Sequence, residues 1–141
     1  MPDIDEGHEA ILFSAHFIVI ALEPNGILRA NWKGFQTINT VMEGCNRMLD
    51  LMTTHRCSHI LNDNTLVRGI WVSAASWLAG TWFPKMQASG MERFAWVYSP
   101  AKFSQYSTDG TMALMNSDDL NVRVFNTEIE ARQWLTQTSG I

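Results

Sequence analysis

The polar run Asn62-Asp63-Asn64 is where this sequence most clearly gathers side chains that could do chemistry. It ends a short apolar segment, "HILN", that predicts a strand, and a helix is expected to begin a few residues later. Ligands of open α/β sheets bind beyond the carboxyl ends of parallel strands, so these three residues are candidates for contacting a ligand or partner. Such side chains also satisfy loop amides and cap helices, and we favour that structural role.

Tyr98 and Ser99 end another predicted strand, "RFAWVYS", and should lie at the same edge of the sheet. Ser99 and Pro100 predict the N-cap and first residue of the next helix. Asp63 and Tyr98 are the two groups at this edge with broad chemical range, and an enzyme would need them to converge in one cleft. No second carboxylate stands near Asp63 in the sequence, so we assign no acid–base pair and predict no catalytic residue.

The sequence disfavours both a metal site and a nucleotide site. His55, Cys57 and His59 are spaced two apart and would share one face of a strand. However, the segment begins where a helix is predicted to end, and a fourth ligand is missing, so we expect no metal. The stretch "NDNTLVRG" contains neither a G-x-G-x-x-G motif nor a phosphate-loop lysine, so we expect no nucleotide cofactor.

Aromatic residues concentrate on or near the second predicted helix, which we expect Ser73 to cap and Pro84 to kink or break. Most of these residues should be buried, because helices that cover a sheet bury such side chains. Trp77 and Trp82 are five residues apart and diverge around the helix, so one could lean outward. The alternative is therefore that they form a patch that pairs two subunits, binds a partner, or walls a pocket.

Composition limits the classes of function. The chain has 141 residues, 46% hydrophobic and 17% charged, which predicts one globular domain. The net charge of −4, without a basic run, argues against a nucleic-acid partner. Two cysteines fit a reducing cytoplasm, and the acidic start lacks the features of a signal peptide. The apolar stretch 10–22 is shorter than the roughly 20 residues that span a bilayer, so we expect no membrane span.

Hydrophobic periodicity predicts alternating strands and helices. The stretch 10–22 is read as one strand, and the turn "EPNG" joins it to a second strand as an antiparallel hairpin. Thr37 should cap the first helix, and Thr127 the last, whose Ile129, Ala131, Trp134 and Leu135 should face the core. The order β-β-α-β-α-β-α-β-α predicts an α/β protein with a single mixed sheet of about five strands, the first antiparallel and the remainder mostly parallel, covered by about four helices.

Several of these segments resemble a known family. "ILNDN", "WLAGTWFPKM", "FAWVYSP", "VRVF" and the final "A--WL" are similar to uncharacterised bacterial proteins of the STAS/SEC14-like, or SpoIIAA-like, superfamily. The resemblance runs from about Trp32 to Leu135 and implies a sheet with one antiparallel edge and helices around it. From the sequence pattern we expect a flexible leader, residues 1–9, followed by a single α/β domain, residues 10–141, which the resemblance makes STAS-like.

The resemblance also bears on regulation. In anti-sigma-factor antagonists of this fold, a serine follows a strand-ending aspartate, opens the next helix, and is phosphorylated to control partner binding. Here Asn64 and Thr65 follow Asp63, and the nearest helix-opening hydroxyl is Ser73, ten residues on. The phospho-switch signature is therefore absent from the expected position.

Three functional hypotheses follow. The first is a non-enzymatic regulatory or protein-interaction module of STAS-like type that pairs with itself as a homodimer or with another regulatory protein. The second is a carrier of a small apolar molecule or lipid, which requires an enclosed pocket on the order of a few hundred Å³. The third, ranked last, is an enzyme that uses the Asp63 region.

Overall fold

The structure, a computed structural model, describes residues 8–115 and 121–137. The predicted leader lies outside the described residues except for His8 and Glu9. The described chain forms one six-stranded sheet in the order β1-β2-β3-β4-β5-β6. The strands are β1 Ala10–Ala15, β2 Ile18–Leu22, β3 Leu28–Phe35, β4 His59–Arg68, β5 Arg93–Val97 and β6 Val122–Phe125. The pairs β1/β2 and β2/β3 are antiparallel and the other three are parallel, which confirms the predicted mixed α/β sheet.

The first predicted strand is two strands in the structure. A two-residue turn at His16 and Phe17 folds it back on itself, so that Ala15 pairs with Ile18. The turn contains neither glycine nor proline, and apolar residues on both sides of it continue the strand pattern. Sequence periodicity therefore missed the reversal, and the sheet has six strands where we expected about five.

Within the described ranges, four helical segments cover this sheet. Helix α1 is Ile38–His55, and the predicted cap at Thr37 is confirmed, since its side chain accepts a hydrogen bond from the amide of Thr40. We use α2 for the continuous helical run 72–88, α3 for Lys102–Leu114 and α4 for Glu128–Thr136. Helices α1 and α2 pack on one face of the sheet with α3 against α2, whereas α4 packs on the opposite face. None of the helices in the described ranges is long and apolar enough to cross a membrane.

Helix α2 is irregular. It opens with a 3-10 turn, Val72–Ala74, in which Ser73 is exposed and makes no capping bond, so the prediction that Ser73 caps this helix is wrong. A π-helical segment, Leu78–Trp82, follows one α-turn, and the amide of Phe83 bonds to the carbonyl of Leu78 five residues back. Pro84 then lies in the first turn of a regular α-helical segment. Proline has no amide hydrogen and crowds the carbonyl four residues before it, so a widened turn ahead of it relieves the clash.

Strand β4 is longer than the sequence indicated. The run Asn62-Asp63-Asn64 lies within it, so the expected polar loop is in fact paired strand. Beyond Asp63, β4 carries one extra residue against β3, which is a β-bulge. The extra residue reverses the alternation of side chains and returns Val67 to the face that Asn62 and Asn64 occupy.

The smaller core lies beneath α4. Ala131, Trp134 and Leu135 pack there against β4 and β5, as predicted. Ile129, which we also expected in this core, is exposed. Residues two apart in a helix point to nearly opposite sides, so Ile129 and Ala131 cannot both face the sheet.

A charged cluster fastens α4 to the β2–β3 turn. Glu23 is buried and accepts two hydrogen bonds from Arg132, at 2.6 and 2.7 Å, and one from Arg29 at 3.0 Å. Burial alone would raise the pKa of the Glu23 carboxyl, but the hydrogen bonds and charges of Arg132 and Arg29 outweigh it and hold this pKa below its ordinary value of 4.5.

Gly44 on α1 is required by the packing of Trp32. A Cβ atom at this position would lie 2.8 Å from Cζ3 of the indole, which the buried ring cannot easily avoid. We expect Gly44→Ala to lower the free energy of unfolding by about 1–3 kcal/mol, measured by urea denaturation. Gly80→Ala is the control, because no atom lies within 4 Å of its added Cβ and alanine favours the helix. Equal stability of Gly44→Ala and the parent protein would contradict this account.

The Glu23 cluster predicts a pH-dependent contribution to stability. A carboxyl whose folded pKa is lowered stabilises the fold above its ordinary pKa, and this contribution is lost as the pH falls through the folded value. Glu23→Gln should therefore cost about 1–2 kcal/mol near neutral pH, since Arg132 is partly exposed to solvent, and its difference from the parent should shrink as the pH falls below the ordinary value of 4.5. Glu43→Gln, which removes an exposed carboxylate of α1, is the control. A deficit that does not change with pH would exclude the ion-pair explanation.

Candidate functional site

A small cavity lies between the sheet and the helices α1 and α2. Its volume is about 30 Å³, room for two or three water molecules. Aromatic rings and amide side chains dominate its wall, which consists of Trp32, Gln36, Val41, Cys45, Asn62, Asn64, Val67, Trp71, Leu78, Trp82, Phe83, Phe94 and Trp96. Among the described residues no Lys, Arg, Asp or Glu contributes to this wall, so the cavity suits an uncharged occupant.

Two of the predicted site residues, Asn62 and Asn64, meet at this cavity. They alternate along β4 and so point to the same face of the sheet. Asn62 accepts a hydrogen bond from Nε1 of Trp32 at 2.8 Å and donates one to Oδ1 of Asn64 at 3.1 Å. Both amides are buried, and they form the polar part of a largely aromatic wall.

The tryptophans of the wall differ in how their indole N–H groups are satisfied. Trp82 donates to the carbonyl of Cys45 at 2.7 Å, and Trp71 donates to the hydroxyl of Ser104 at 3.1 Å. Trp96 stacks on Trp71 with ring centroids 5.9 Å apart, but its Nε1 finds no hydrogen-bond partner among the described residues. Of the four tryptophans that line the cavity, Trp96 is therefore the one whose buried N–H has no partner among the described residues.

Asp63 lies on the other face of the sheet. It stands beside Val97 in the register of β4 and β5, and Val97 belongs to the core beneath α4. Its carboxylate accepts a hydrogen bond from the amide of Thr65 at 2.8 Å and another from the Thr65 hydroxyl. The carboxylate thus satisfies the backbone next to the bulge, the role that we favoured for the polar run.

Tyr98 points towards the side of the sheet that α3 covers, and its hydroxyl donates a hydrogen bond to the carboxylate of Asp109. Burial, together with the hydrogen bond and the negative charge of Asp109, raises the pKa of Tyr98 to about 12. Successive residues of β5 alternate between the two faces, so Tyr98 points away from the side that Val97 and Asp63 share. The two groups of the enzymatic hypothesis therefore do not converge.

Ser99 has a structural role in the turn before α3. Its hydroxyl donates to the carbonyl of Val67 at 2.6 Å and accepts from the amide of Ala101 at 3.0 Å. The N-cap of α3 is Ala101, without a side-chain capping bond, so the expectation that Ser99 caps the helix is wrong. Ser99 instead connects this turn to β4 through the hydrogen bond that its hydroxyl donates to Val67.

The predicted aromatic pair on α2 separates in the structure. Trp82 is buried in the cavity wall, where it packs against Phe83 and Phe94. Trp77 is half-buried and packs against the edge of the main core, outside the cavity wall. Trp82 therefore cannot contribute to a surface patch. Of the alternative roles predicted for it, forming the wall of a pocket is the one that remains.

Trp32 and Trp96 are wall residues that were not predicted from the sequence. The available signal was that both lie on predicted strands. In the structure Trp96 stands directly beside Asn62 in the register of β4 and β5.

His55, Cys57 and His59 form no metal-binding cluster within the described residues. His59 instead lies 3.8 Å from the carboxylate of Glu92.

Helix α3 has an inverted pattern of polarity. Its buried side consists of hydroxyl residues, Ser104, Ser107, Thr108 and Thr111. Its large side chains point to solvent: Phe103 is 68% exposed, Tyr106 60% and Leu114 59%. We call this exposed side, formed by Lys102, Phe103, Tyr106, Asp109, Ala113 and Leu114, the α3 surface.

Neither a protein-family model nor a curated protein sequence matches this chain. The structure defines the class, an α/β protein with one mixed sheet of six strands. The more specific STAS-like reading rests on the sequence segments quoted above, with which this topology is consistent.

The Tyr98–Asp109 contact predicts a measurable titration. Because burial is the first cause of the raised pKa and Asp109 supplies the rest, Asp109→Asn should lower the pKa of Tyr98 from about 12 towards its ordinary value of 10.0 without reaching it. Carbon-13 NMR of labelled tyrosine measures this, in a Tyr106→Phe background that leaves one of the two tyrosines. An unchanged titration in Asp109→Asn would show that the contact does not form in solution.

Proposed function

We propose that the protein is a non-enzymatic interaction module of STAS-like type that works as a homodimer, with the α3 surface as the contact between the two copies. The observation that carries the proposal is the inversion of α3, whose aromatic and aliphatic side chains lie in solvent while its hydroxyls are buried. Large apolar groups that share one exposed helix face are typical of interaction surfaces.

The charges of the α3 surface favour a second copy as the partner. Tyr106 lies at the centre of the exposed side, with Lys102 and Asp109 on one flank and Phe103 and Leu114 on the other. Lys102 and Asp109 are seven residues apart, about 10 Å along the helix. If two helices pack antiparallel about a twofold axis near Tyr106, Lys102 of each copy meets Asp109 of the other. Such self-complementarity is what an isologous interface requires.

The alternatives receive less support from the same geometry. A lipid carrier needs a cavity on the order of a few hundred Å³, whereas the cavity beneath α1 and α2 holds about 30 Å³. An enzyme that combines Asp63 with Tyr98 would have to bring together side chains that occupy opposite faces of the sheet. The two buried, free cysteines support the cytoplasmic location that belongs to this proposal.

The proposal is tested by the mass of the protein in solution, measured by sedimentation equilibrium. We expect a dimer for the parent protein and a shift towards monomer, by at least tenfold in the dissociation constant, for Phe103→Ser and Tyr106→Ser. Ile129→Ser is the matched control, because Ile129 is as exposed as Phe103 but lies on α4, at the opposite face of the sheet. A monomeric parent protein, or equal weakening by Ile129→Ser, would refute the assignment of this surface.

Charge reversal tests the antiparallel arrangement. Lys102→Glu alone places a glutamate opposite Asp109 of the other copy and should weaken the dimer, and Asp109→Lys alone should do the same through two lysines. Because Asp109→Lys also removes the acceptor of the Tyr98 hydroxyl, the comparison is with the single variants: the double variant restores opposite charges and should dimerise more tightly than either of them. Additive weakening in the double variant would exclude the pairing of Lys102 with Asp109.

A further inference from the structure

We infer that the cavity beneath α1 and α2 is a binding site for a small, uncharged carbonyl compound, such as a simple amide, whose oxygen accepts a hydrogen bond from Nε1 of Trp96. This site is separate from the α3 surface and does not depend on the proposed dimer. The unpaired donor, the polar groups beside it, the absence of charge in the described wall and the volume of the cavity support this assignment.

The first observation is the unpaired hydrogen-bond donor, Nε1 of Trp96. Trp96 is 3% exposed and lines the cavity, yet its N–H has no partner among the described residues, whereas Trp32, Trp71 and Trp82 each have one. A buried donor without an acceptor is costly, so folded proteins nearly always supply one. An indole N–H only donates, which means that the missing group must be an acceptor.

The second observation concerns the side-chain amides of β4. Asn62 is the neighbour of Trp96 in the sheet, and Asn64 follows it on the same side of the strand. An asparagine amide both donates and accepts, so these residues complement a molecule that carries an N–H group beside its carbonyl. The aromatic remainder of the wall would contact the apolar part of that molecule.

The uncharged wall and the small volume of the cavity restrict the ligands that it can bind. The described wall holds no ionised side chain, and an unpaired charge would be strongly unfavourable in such surroundings. The volume of about 30 Å³ corresponds to two or three water positions, which is room for a molecule of about four heavy atoms. Acetamide has this size, lacks a charge, and carries both the acceptor and the donor.

The π-helical segment Leu78–Trp82 forms part of the wall through its first and last residues. π-Helical turns inside α-helices are frequent at functional sites. Trp82, the last residue of this segment, lines the cavity, but its own N–H is already bonded to the carbonyl of Cys45. Trp96 therefore remains the donor that is available to a ligand.

The test is a titration with acetamide followed by nitrogen-15 NMR of the six indole N–H groups. We expect the Trp96 resonance to shift saturably with a millimolar dissociation constant, together with a rise in the thermal midpoint. Acetate, which has the same shape but a negative charge, should produce neither effect. Saturable binding of acetate, or shifts that grow linearly for all indoles, would overturn the proposal.

Two single substitutions test whether acetamide binds at Trp96. Trp96→Phe keeps an aromatic ring but removes the donor, and it should abolish the saturable stabilisation by acetamide, whereas Trp77→Phe, outside the wall, should preserve it. If Trp96→Phe does not fold, the comparison of acetamide with acetate on the parent protein still decides the question. A cross-peak from the Trp96 indole proton to a long-lived water, unchanged by acetamide, would show that water is the acceptor and overturn the proposal.

Discussion

The structure depends on placing tryptophan side chains in the core while giving their N–H groups acceptors. A buried donor left without an acceptor costs about 1–3 kcal/mol, a large share of the net stability of a small domain. Each paired indole of the cavity wall is met by a different element: Trp32 by Asn62 on β4, Trp82 by a carbonyl of α1, and Trp71 by Ser104 on α3. Asn62 and Ser104 thus supply acceptors for the indole N–H groups of Trp32 and Trp71.

This requirement accounts for the unusual character of α3. Besides the contact with Ser104, the backbone amide of Trp71 donates to the hydroxyl of Ser107 at 2.9 Å. Ser104 and Ser107 therefore face inward, where they meet these donors, and the large side chains Phe103, Tyr106 and Leu114 lie on the other side of the helix, in solvent. Two hydrogen bonds to Trp71 thus link the aromatic core to the orientation of the helix that carries the proposed dimer surface.

Trp71 also connects the two sites that we propose. It stacks on Trp96 at the cavity wall and bonds to Ser104 and Ser107 on the buried side of α3. The side of the sheet beneath α4 takes no part in this arrangement. There Asp63 satisfies backbone, and Glu23 with Arg132 secures α4 to the β2–β3 turn. The sheet thus separates two sides of the molecule. The cavity and the α3 surface lie on one side, and the contacts that hold α4 in place lie on the other.

The sequence by itself determined the alternation of strands and helices, the caps at Thr37 and Thr127, and the burial of Trp134. These features depend on local periodicity and local hydrogen bonds, which neighbouring residues specify. The reversal at His16 and Phe17 was missed because it breaks no local pattern.

The tertiary structure decided where the site residues point. Asn62 and Asp63 are adjacent in sequence, but the pleat of β4 sends one into the cavity and the other to the opposite face. The exposure of Phe103 and the unmet donor of Trp96 likewise follow from contacts between residues far apart in the chain. Periodicity reports which side of an element a residue occupies, whereas only the assembled fold shows what covers that side and which buried donors remain without an acceptor.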